Sequence, residues 1–395
     1  MNGRLLVIGA GPMGLFAALE GVERGLDVTV LEKDQAGSAL LGWGPTRFFS
    51  PFGMNVPRSA RRAPEGRGEP LPPDEVLLTG PEMVRLLLAP LAVSRPLAGR
   101  VLTGHRVVGI ARAGMTRMDF AGHPLRAERP FRVLAETAAG ERSFEADFVL
   151  DASGVTGQPC WMGEGGLPAR GERSLASRIV RDLGSLDRRL PQMSGRKILL
   201  VGHGHSAATV LLRLAELFRE SPATRVTWAV RSANRRPCAE VAEDPLPERQ
   251  RVASLANDLA QDPAAFLAVE RRAVVETISE DSNGLAVKFA GGRRGVFDEI
   301  VSMTGYRPDL SFLSELALEI SPATEGAARL SQALAGVTDC LSIPRVRSED
   351  LASGEPGFFL IGAKSYGRSR NFLIRSGLGQ LESIFEGRRF SRATV

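Results

Sequence analysis

Residues 5–14 read LLVIGAGPMG, an apolar run joined directly to a glycine-rich turn. Four consecutive apolar residues are typical of a strand that is buried on both faces of a parallel sheet. Residues 15–24 then carry apolar side chains at helical spacing, and Gly25 is suited to end that helix. A second apolar run, VTVL at residues 28–31, predicts the next strand. The order strand, turn, helix, strand predicts a βαβ unit and an α/β fold.

The turn has a full GxGxxG pattern, in which each glycine has a separate mechanical task. Gly9 permits the tight turn, Gly11 lets the backbone approach a pyrophosphate, and Gly14 lets the helix pack closely on the strand. Pro12 and Met13 begin the helix, whose free N–H groups and partial positive charge attract that pyrophosphate. The turn therefore predicts a dinucleotide site.

Glu32 and Lys33 follow the second strand and belong to the same predicted site. An acidic residue about 20 positions after the first glycines accepts hydrogen bonds from the hydroxyls of an adenosine ribose. The alternative interpretation is a glycine-rich turn in an ordinary α/β domain, with Glu32 as a solvated surface charge. The complete set of strand, turn, helix and acid favours the dinucleotide.

A second turn of this kind, GHGHSA at residues 202–207, follows the apolar run at residues 198–201. An alanine in place of the third glycine is still small enough for the helix to pack closely on the strand. We predict that the turn lines a second nucleotide pocket through Gly202, Gly204, His205, Ser206 and Ala207. A metal site at its histidines is not favoured, because no third ligand accompanies them.

Arg231 lies at the strand end that corresponds to the position of Glu32 in the first unit, and Arg235 follows closely. A carboxylate would repel a ribose 2′-phosphate, whereas a guanidinium pairs with it. The arginines therefore favour NADPH over NADH. The alternative interpretation attributes them to the general arginine excess of the chain.

The rest of the pattern predicts two Rossmann-like dinucleotide-binding domains, the second inserted into the first. We place the first domain at residues 1–170 and 301–395, with an antiparallel meander at about 105–150, and the inserted domain at 171–300. Residues 81–91 read as a helix, 58–73 as an irregular excursion, and 274–297 as strands with an Asn-Gly hairpin turn at 283–284. A buried strand at 358–361 precedes a helix at about 371–385.

The composition of the 395 residues, 43% hydrophobic and 24% charged, is that of a soluble globular protein. No segment approaches the roughly 20 apolar residues of a membrane span, and no leader is apparent, so we expect a cytoplasmic protein without membrane contact. The net charge of +5 is spread along the chain, which argues against nucleic-acid binding. The three distant cysteines form neither a disulfide framework nor a metal site.

These motifs resemble the flavin-containing monooxygenase-like branch of the two-dinucleotide-binding flavoproteins, a superfamily that also contains the thioredoxin and glutathione reductases. The resemblance rests on both glycine turns, on DASGV at 151–155 and on MTGYRPD at 303–309, and it covers essentially the whole chain. It implies that the first turn holds FAD and the second holds NADPH. It also implies cofactor contacts at Gly42, Trp43, Ala152, Ser153, Gly154, Thr304, Gly305, Tyr306, Gly362, Ala363 and Asn371.

The chain departs from this family at two places. Residues 160–196 contain no histidine, although the monooxygenase signature has one before the second turn, together with a Phe-Gly. Many relatives have Gly-Asp near the C-terminus, where this chain has Gly362-Ala363. Backbone N–H groups of residues 364–370 and of the last helix are expected to replace that aspartate. A divergent subfamily is implied.

Residues 46–55 follow the Gly-Trp pair and, by resemblance, lie beside the flavin. Aromatic side chains there are suited to wall a dry pocket, and Arg47, Ser50 and Asn55 are the candidate catalytic residues. Relatives use an Asn or Ser in this region to support the oxygenated flavin. The alternative interpretation is a packed loop without a catalytic part.

The leading hypothesis is an NADPH-consuming monooxygenase that uses molecular oxygen on a nitrogen, sulfur or carbonyl centre of a small molecule. Its support is the resemblance and the absence of a CxxC pair from the sequence. The first alternative is an NADPH-dependent reductase of a disulfide or another acceptor that works without such a pair. The second is a non-enzymatic redox sensor that binds nucleotides.

Overall fold

A computed structural model describes residues 3–62 and 69–387. The chain divides into two compact units, which are Met1–Leu41, Ser50–Gln158 and Arg307–Val395 for the first and Gly42–Phe49 and Pro159–Tyr306 for the second. The junctions lie at 158/159 and 306/307, where the sequence predicted 170/171 and 300/301, and residues 42–49 join the second unit. Which cofactor each unit binds stays a prediction.

The first unit is built on a sheet of five parallel strands. In spatial order they are Phe358–Leu360, Phe148–Asp151, Arg4–Ile8, Asp27–Leu31 and Val101–Leu102. The central strands are almost entirely buried, as continuous apolar runs predict. The strand Phe358–Leu360 comes from the C-terminal segment, so this part of the chain belongs to the first unit.

The second unit is built on another sheet of five parallel strands. They are, in spatial order, Leu267–Arg271, Arg225–Val230, Lys197–Val201, Glu299–Ser302 and Ile179–Val180. A single apolar cluster that includes Trp228 and Leu211 fills the space between this sheet and its helices. Both Rossmann-like sheets of the predicted fold class are thus present.

Each unit also carries a sheet of three antiparallel strands. The strands of the first unit are Arg106–Arg112, Phe131–Thr137 and Gly140–Ala146, which confirms the predicted meander. Those of the second are Val275–Asp281, Gly284–Phe289 and Arg294–Phe297, and the predicted Asn-Gly turn joins the first two.

The helices that follow the two glycine turns, Pro12–Glu23 and His205–Glu220, are confirmed. The other α-helices of the first unit are Ser38–Leu41, Phe52–Asn55, Arg58–Arg62, Gly80–Met83, Ala89–Ala92, Ala328–Ala333, Ala363–Tyr366 and Ile374–Glu386. Those of the second unit are Leu183–Arg189 and Pro247–Gln261. Short 3₁₀ turns occupy Arg95–Leu97, Pro124–Glu128, Glu164–Gly166, Ala176–Arg178, Leu190–Met193 and Ser311–Leu313.

The helix predicted at residues 81–91 contains a π-helical turn, Val84–Leu88, between two α-helical turns. Pro90 lies just after it and has no backbone N–H to continue an α-helical ladder. The predicted excursion at 58–73 begins as the helix Arg58–Arg62, and its residues 63–68 lie outside the described ranges. Within residues 3–62 and 69–387, no helix combines the length and the apolar character that a bilayer span requires.

Candidate functional site

In the first glycine turn, close packing within the protein requires glycine at two positions, Gly9 and Gly14. Gly9 has a φ of +93°, and a Cβ there would lie 2.9 Å from the carbonyl oxygen of Ala152. A Cβ on Gly14 would lie 1.9 Å from the carbonyl oxygen of Gly9. The close approach of helix to strand therefore depends on both residues, as their predicted tasks demand.

At Gly11, neither the backbone conformation nor the packing of the protein requires a glycine. Its φ of −74° is open to any residue, and a Cβ built on it would have no atom within 4 Å. Gly204 in the second turn has a φ of −84° and equally open space around its Cβ position. Each of these glycines precedes the first residue of a helix, where free N–H groups attract a pyrophosphate. The two turns therefore fit a dinucleotide each.

Glu32 is built into the first turn, because its carboxylate accepts hydrogen bonds from two backbone N–H groups. Oε2 lies 2.7 Å from the nitrogen of Ala10, and Oε1 lies 2.9 Å from that of Asp34. The residue is buried, so it is not a solvated surface charge. A carboxylate has about four acceptor positions, which leaves room for ribose hydroxyls. Lys33 is exposed beside it, with Nζ 3.8 Å from Asp34 Oδ2.

A buried ion pair, which no sequence motif predicts, lies at the end of the strand Phe148–Asp151. Lys364 Nζ is 2.6 Å from Asp151 Oδ2, and both side chains are fully buried. The ammonium also donates to Ser153 Oγ at 2.9 Å and lies 4.2 Å from the ring centre of Phe312. Ser153 in turn donates to Asp151 Oδ1 at 2.7 Å. The pair therefore fixes the predicted cofactor loop of Ala152, Ser153 and Gly154.

Gly362 has a φ of +64° and lies against the helix that follows the first turn, since a Cβ on Gly362 would be 2.9 Å from Met13 Cγ. Its N–H donates to Gln380 Oε1 at 2.8 Å, which joins it to the last helix. Ala363 begins the helix Ala363–Tyr366. Asn371 donates its side-chain amide to the carbonyl of Val337 at 2.8 Å, so this side chain is used within the protein.

The candidate catalytic residues fall into different compact units. Ser50 and Asn55, in the first unit, are buried and bonded to each other, with Ser50 Oγ donating to Asn55 Oδ1 at 2.8 Å. Asn55 Nδ2 also donates to the carbonyl of Ser50 at 3.1 Å. Arg47, in the second unit, lowers the pKa of Glu248, although the hydrogen bond from Arg251 is the larger cause. A role of these residues in flavin chemistry stays a prediction.

Gly42 and Trp43 belong to the second unit. The carbonyl of Gly42 accepts a hydrogen bond from the N–H of Gly184 at 2.7 Å, and a Cβ on Gly184 would lie 2.6 Å from that oxygen. The ring of Trp43 lies 4.8 Å from that of Phe48. The contact between Gly42 and Gly184 explains why residues 42–49 group with the second unit and not with the strand and helix that precede them in the sequence.

The second turn, like the first, is closely packed at its first and third small residues. Gly202 has a φ of +118°, and a Cβ there would lie 2.3 Å from the carbonyl oxygen of Met303. The buried Trp228 donates its indole N–H to the carbonyl of Gly202 at 2.7 Å. Ala207 is fully buried, which agrees with its predicted packing task. His205 and Ser206 form the first turn of the helix.

Hydrogen bonds join the segment Thr304–Tyr306 to two earlier residues of the second unit, Cys160 and Arg181. Thr304 Oγ1 donates to the carbonyl of Cys160 at 2.5 Å, and the Cys160 N–H donates to the carbonyl of Gly305 at 2.9 Å. Tyr306 donates its hydroxyl to the carbonyl of Arg181 at 2.9 Å, and burial raises its pKa to about 12. These contacts, all within the second unit, hold the start and the end of the stretch Pro159–Tyr306 together.

Residues 4–51 match the family model described as FAD dependent oxidoreductase. No curated protein matches the chain. Among solved structures, bacillithiol disulfide reductase Bdr from Bacillus cereus is 18% identical with a TM-score of 0.69, and the alignment covers 98% of both chains. The chain has the fold of the two-dinucleotide-binding-domain flavoproteins.

Monooxygenases with this flavoprotein fold match as well. A flavin monooxygenase from Stenotrophomonas maltophilia is 21% identical with a TM-score of 0.60, over 98% of this chain and 99% of the other. The ornithine N-hydroxylase of Kutzneria sp. 744, in complex with reduced FAD, NADP⁺ and L-ornithine, is 16% identical with a TM-score of 0.61, over the same shares. The family match supports an FAD-dependent oxidoreductase, and the solved structures with this fold include reductases and oxygenases alike. Within the described residues, no group of three potential ligands is arranged to hold a metal ion.

Proposed function

We propose that this protein is an NADPH-consuming, FAD-dependent monooxygenase that acts on a nitrogen, sulfur or carbonyl centre of a small molecule. The observation that carries the two-cofactor part is the pair of open glycines, Gly11 and Gly204, at two helix starts. Neither backbone conformation nor packing requires glycine there, so a bound group is the remaining reason. FAD supplies the electron transfer when bound, and the chain supplies binding, orientation and exclusion of water.

The cysteines favour an oxygenase over a disulfide reductase. The sequence has three, and Cys160, Cys238 and Cys340 are all buried and none of them forms a disulfide. Burial raises the pKa of Cys238 to about 12, so its reactive thiolate is scarce at neutral pH. A dithiol relay through the chain therefore has no residues to use. Reduction of an external disulfide directly by the flavin is the alternative that the activity test addresses.

Alanine at either open glycine tests the two cofactor sites separately. We expect Gly11→Ala to raise the FAD dissociation constant at least about tenfold, because a methyl group takes space that the pyrophosphate needs. Gly204→Ala should weaken the binding of NADPH to a similar degree and leave FAD bound. Flavin content by absorbance and NADPH titration by fluorescence measure the two effects.

The added Cβ has no protein atom within 4 Å in either alanine variant. The melting temperature of the flavin-free protein should therefore stay within about 2 °C of the parent, which corresponds to a change in the free energy of unfolding of less than ~1 kcal/mol. Gly14→Ala is the matched control, since its Cβ would collide with the Gly9 carbonyl and lower both stability and flavin content. Full FAD affinity in Gly11→Ala would count against a pyrophosphate at this turn.

Oxygenation itself is tested by product mass. Purified holoprotein is supplied with NADPH and air over panels of amines, thioethers and ketones, and products are read by mass spectrometry. A product heavier by one oxygen atom, with the label from ¹⁸O₂, supports the proposal. NADPH oxidation that occurs only with an added disulfide, in the absence of oxygen, would replace it with the reductase. No bleaching of the flavin by NADPH under anaerobic conditions would instead favour the redox sensor.

A further inference from the structure

The loop at residues 231–238, which follows the strand Arg225–Val230, is fixed by a buried asparagine. Asn257 Oδ1 accepts from the N–H of Cys238 at 2.9 Å, and Asn257 Nδ2 donates to the carbonyl of Cys238 at 3.0 Å. Asn257 is fully buried in the helix Pro247–Gln261. Asn257 therefore ties the end of the 231–238 loop to the helix Pro247–Gln261.

Arg271, the last residue of the neighbouring strand, holds the same loop from the other side. Its guanidinium donates to the carbonyls of Asn234 and Arg235, both at 3.1 Å, and to that of Ala260 at 2.7 Å. Three of its five donors are thus used by backbone oxygens. Arg271 stabilises the loop and is not placed to pair with an anion.

The next residue, Arg272, follows the strand in the position that corresponds to Arg231 on the neighbouring strand. In the parallel register Val230 is opposite Arg271, which brings the two following residues together at the carboxyl edge of the sheet. The N–H of Arg272 donates to the carbonyl of Ser232 at 3.3 Å and confirms this proximity. Ligands of open α/β sheets bind at this edge.

Arg272 also has a strained backbone, with a φ of +53°. A residue with a Cβ pays roughly 1 kcal/mol or more for this left-handed conformation, which glycine or asparagine adopts more readily. Such outliers cluster at functional sites. The arginine side chain is therefore not chosen for the turn geometry.

Arg231, Arg235 and Arg272 are all exposed, and among the described residues no acidic side chain forms an ion pair with any of them. Arg236 of the same loop differs, because it pairs with Glu240 and Asp258 at 2.8 Å each. Three positive charges thus remain uncompensated around a fixed loop, at the strand edge where the adenosine ribose of a dinucleotide is held.

We infer that Arg272, together with Arg231, binds the 2′-phosphate of NADPH and sets the preference for NADPH over NADH. The inference rests on the proposed function and adds a residue from the neighbouring strand to the motif-based pair Arg231 and Arg235. A phosphate dianion contacted by two guanidiniums is bound more tightly than by one, because each contributes charge-assisted hydrogen bonds.

The test uses Arg272→Asn in the FAD-loaded protein, with 2′,5′-ADP and 5′-AMP as probes in calorimetry. Asparagine suits the left-handed conformation, so the melting temperature should stay equal or rise. The dissociation constant of 2′,5′-ADP should increase about tenfold, the loss of a charge-assisted contact, while that of 5′-AMP changes by less than about twofold. Arg219→Ala, at an exposed arginine in the last turn of the helix His205–Glu220, is the matched control and should alter neither.

An unchanged ratio of the two dissociation constants in Arg272→Asn would overturn the inference and leave nucleotide binding by the second turn intact. Equal weakening of both probes would also overturn it, since that result indicates a general effect on the adenosine site. If the parent protein binds neither probe nor NADPH, the proposed function fails together with the inference.

Discussion

Replacing Glu355 by glutamine is expected to lower the free energy of unfolding by about 3–5 kcal/mol, the cost of breaking a buried ion pair from one side. Glu355 Oε1 lies 2.8 Å from Arg112 Nε, and Oε2 lies 2.8 Å from Arg126 Nη2. All three side chains are at most 1% exposed. Glutamine would leave two buried guanidiniums without a counter-charge and would turn an amide donor towards them.

The triad joins distant parts of the first unit, which adds to the expected effect. Arg126 also donates to the carbonyls of Thr116 at 3.0 Å and Asp119 at 2.6 Å, so it organises the connection between two strands of the meander. Glu355 accepts in addition from the N–H of Ala317 at 3.0 Å. Urea denaturation measures the loss, with the exposed Glu136→Gln as control. A difference below about 1 kcal/mol would contradict the prediction.

The effect of Glu355→Gln should depend on pH. Burial tends to raise the pKa of Glu355, but the hydrogen bonds from Arg126 and Arg112 outweigh it and hold this pKa below its usual value. A lowered folded-state pKa contributes stability that is present above the unfolded pKa of about 4.3 and is lost as pH falls through the folded pKa. The gap between parent and variant should therefore be full at neutral pH and narrow below about pH 4.

Lys364→Met is expected to cost a similar ~3–5 kcal/mol, because it leaves the fully buried carboxylate of Asp151 without its cation. The double variant Asp151→Asn, Lys364→Met should recover at least half of this loss, since asparagine can still accept the two hydrogen bonds from Ser153. Lys197→Met, at an exposed lysine, is the control.

The same Lys364 variant should also lose flavin. The carbonyl of Ala152 lies against Gly9, so a shift of the loop after Asp151 moves the floor of the first turn. Bound FAD per chain, measured by absorbance after desalting, is expected to fall in Lys364→Met and to return in the double variant. Unchanged stability together with unchanged flavin content would show that the pair is dispensable.

The nucleotide turns could be predicted from sequence because their signals are local. Strand, glycine spacing, helix and the following charge all lie within about 30 residues, the length of one βαβ unit. The tasks of Gly9 and Gly14 follow from backbone sterics, and the close contacts at their Cβ positions agree with them; the role of Gly11 beside a pyrophosphate stays a prediction.

The buried ion networks could not be predicted in this way, because their partners are far apart in sequence. Lys364 is separated by more than 200 positions from Asp151, and only the pairing of the strand Phe358–Leu360 with Phe148–Asp151 brings them together. Arg272 belongs to no nucleotide motif and reaches the second site through the register of a neighbouring strand. Residues 42–49 join the second unit through Gly184, which no local pattern signals.

All three tryptophans of the chain, Trp43, Trp161 and Trp228, lie in the second compact unit. Indole emission of this protein therefore originates in that unit, whereas the yellow chromophore predicted for the first unit reports on the other. Melting followed at the two wavelengths resolves the units without any label. Because the indole of Trp228 donates to the carbonyl of Gly202 in the second turn, we expect the ultraviolet signal to respond to nucleotide occupancy as well.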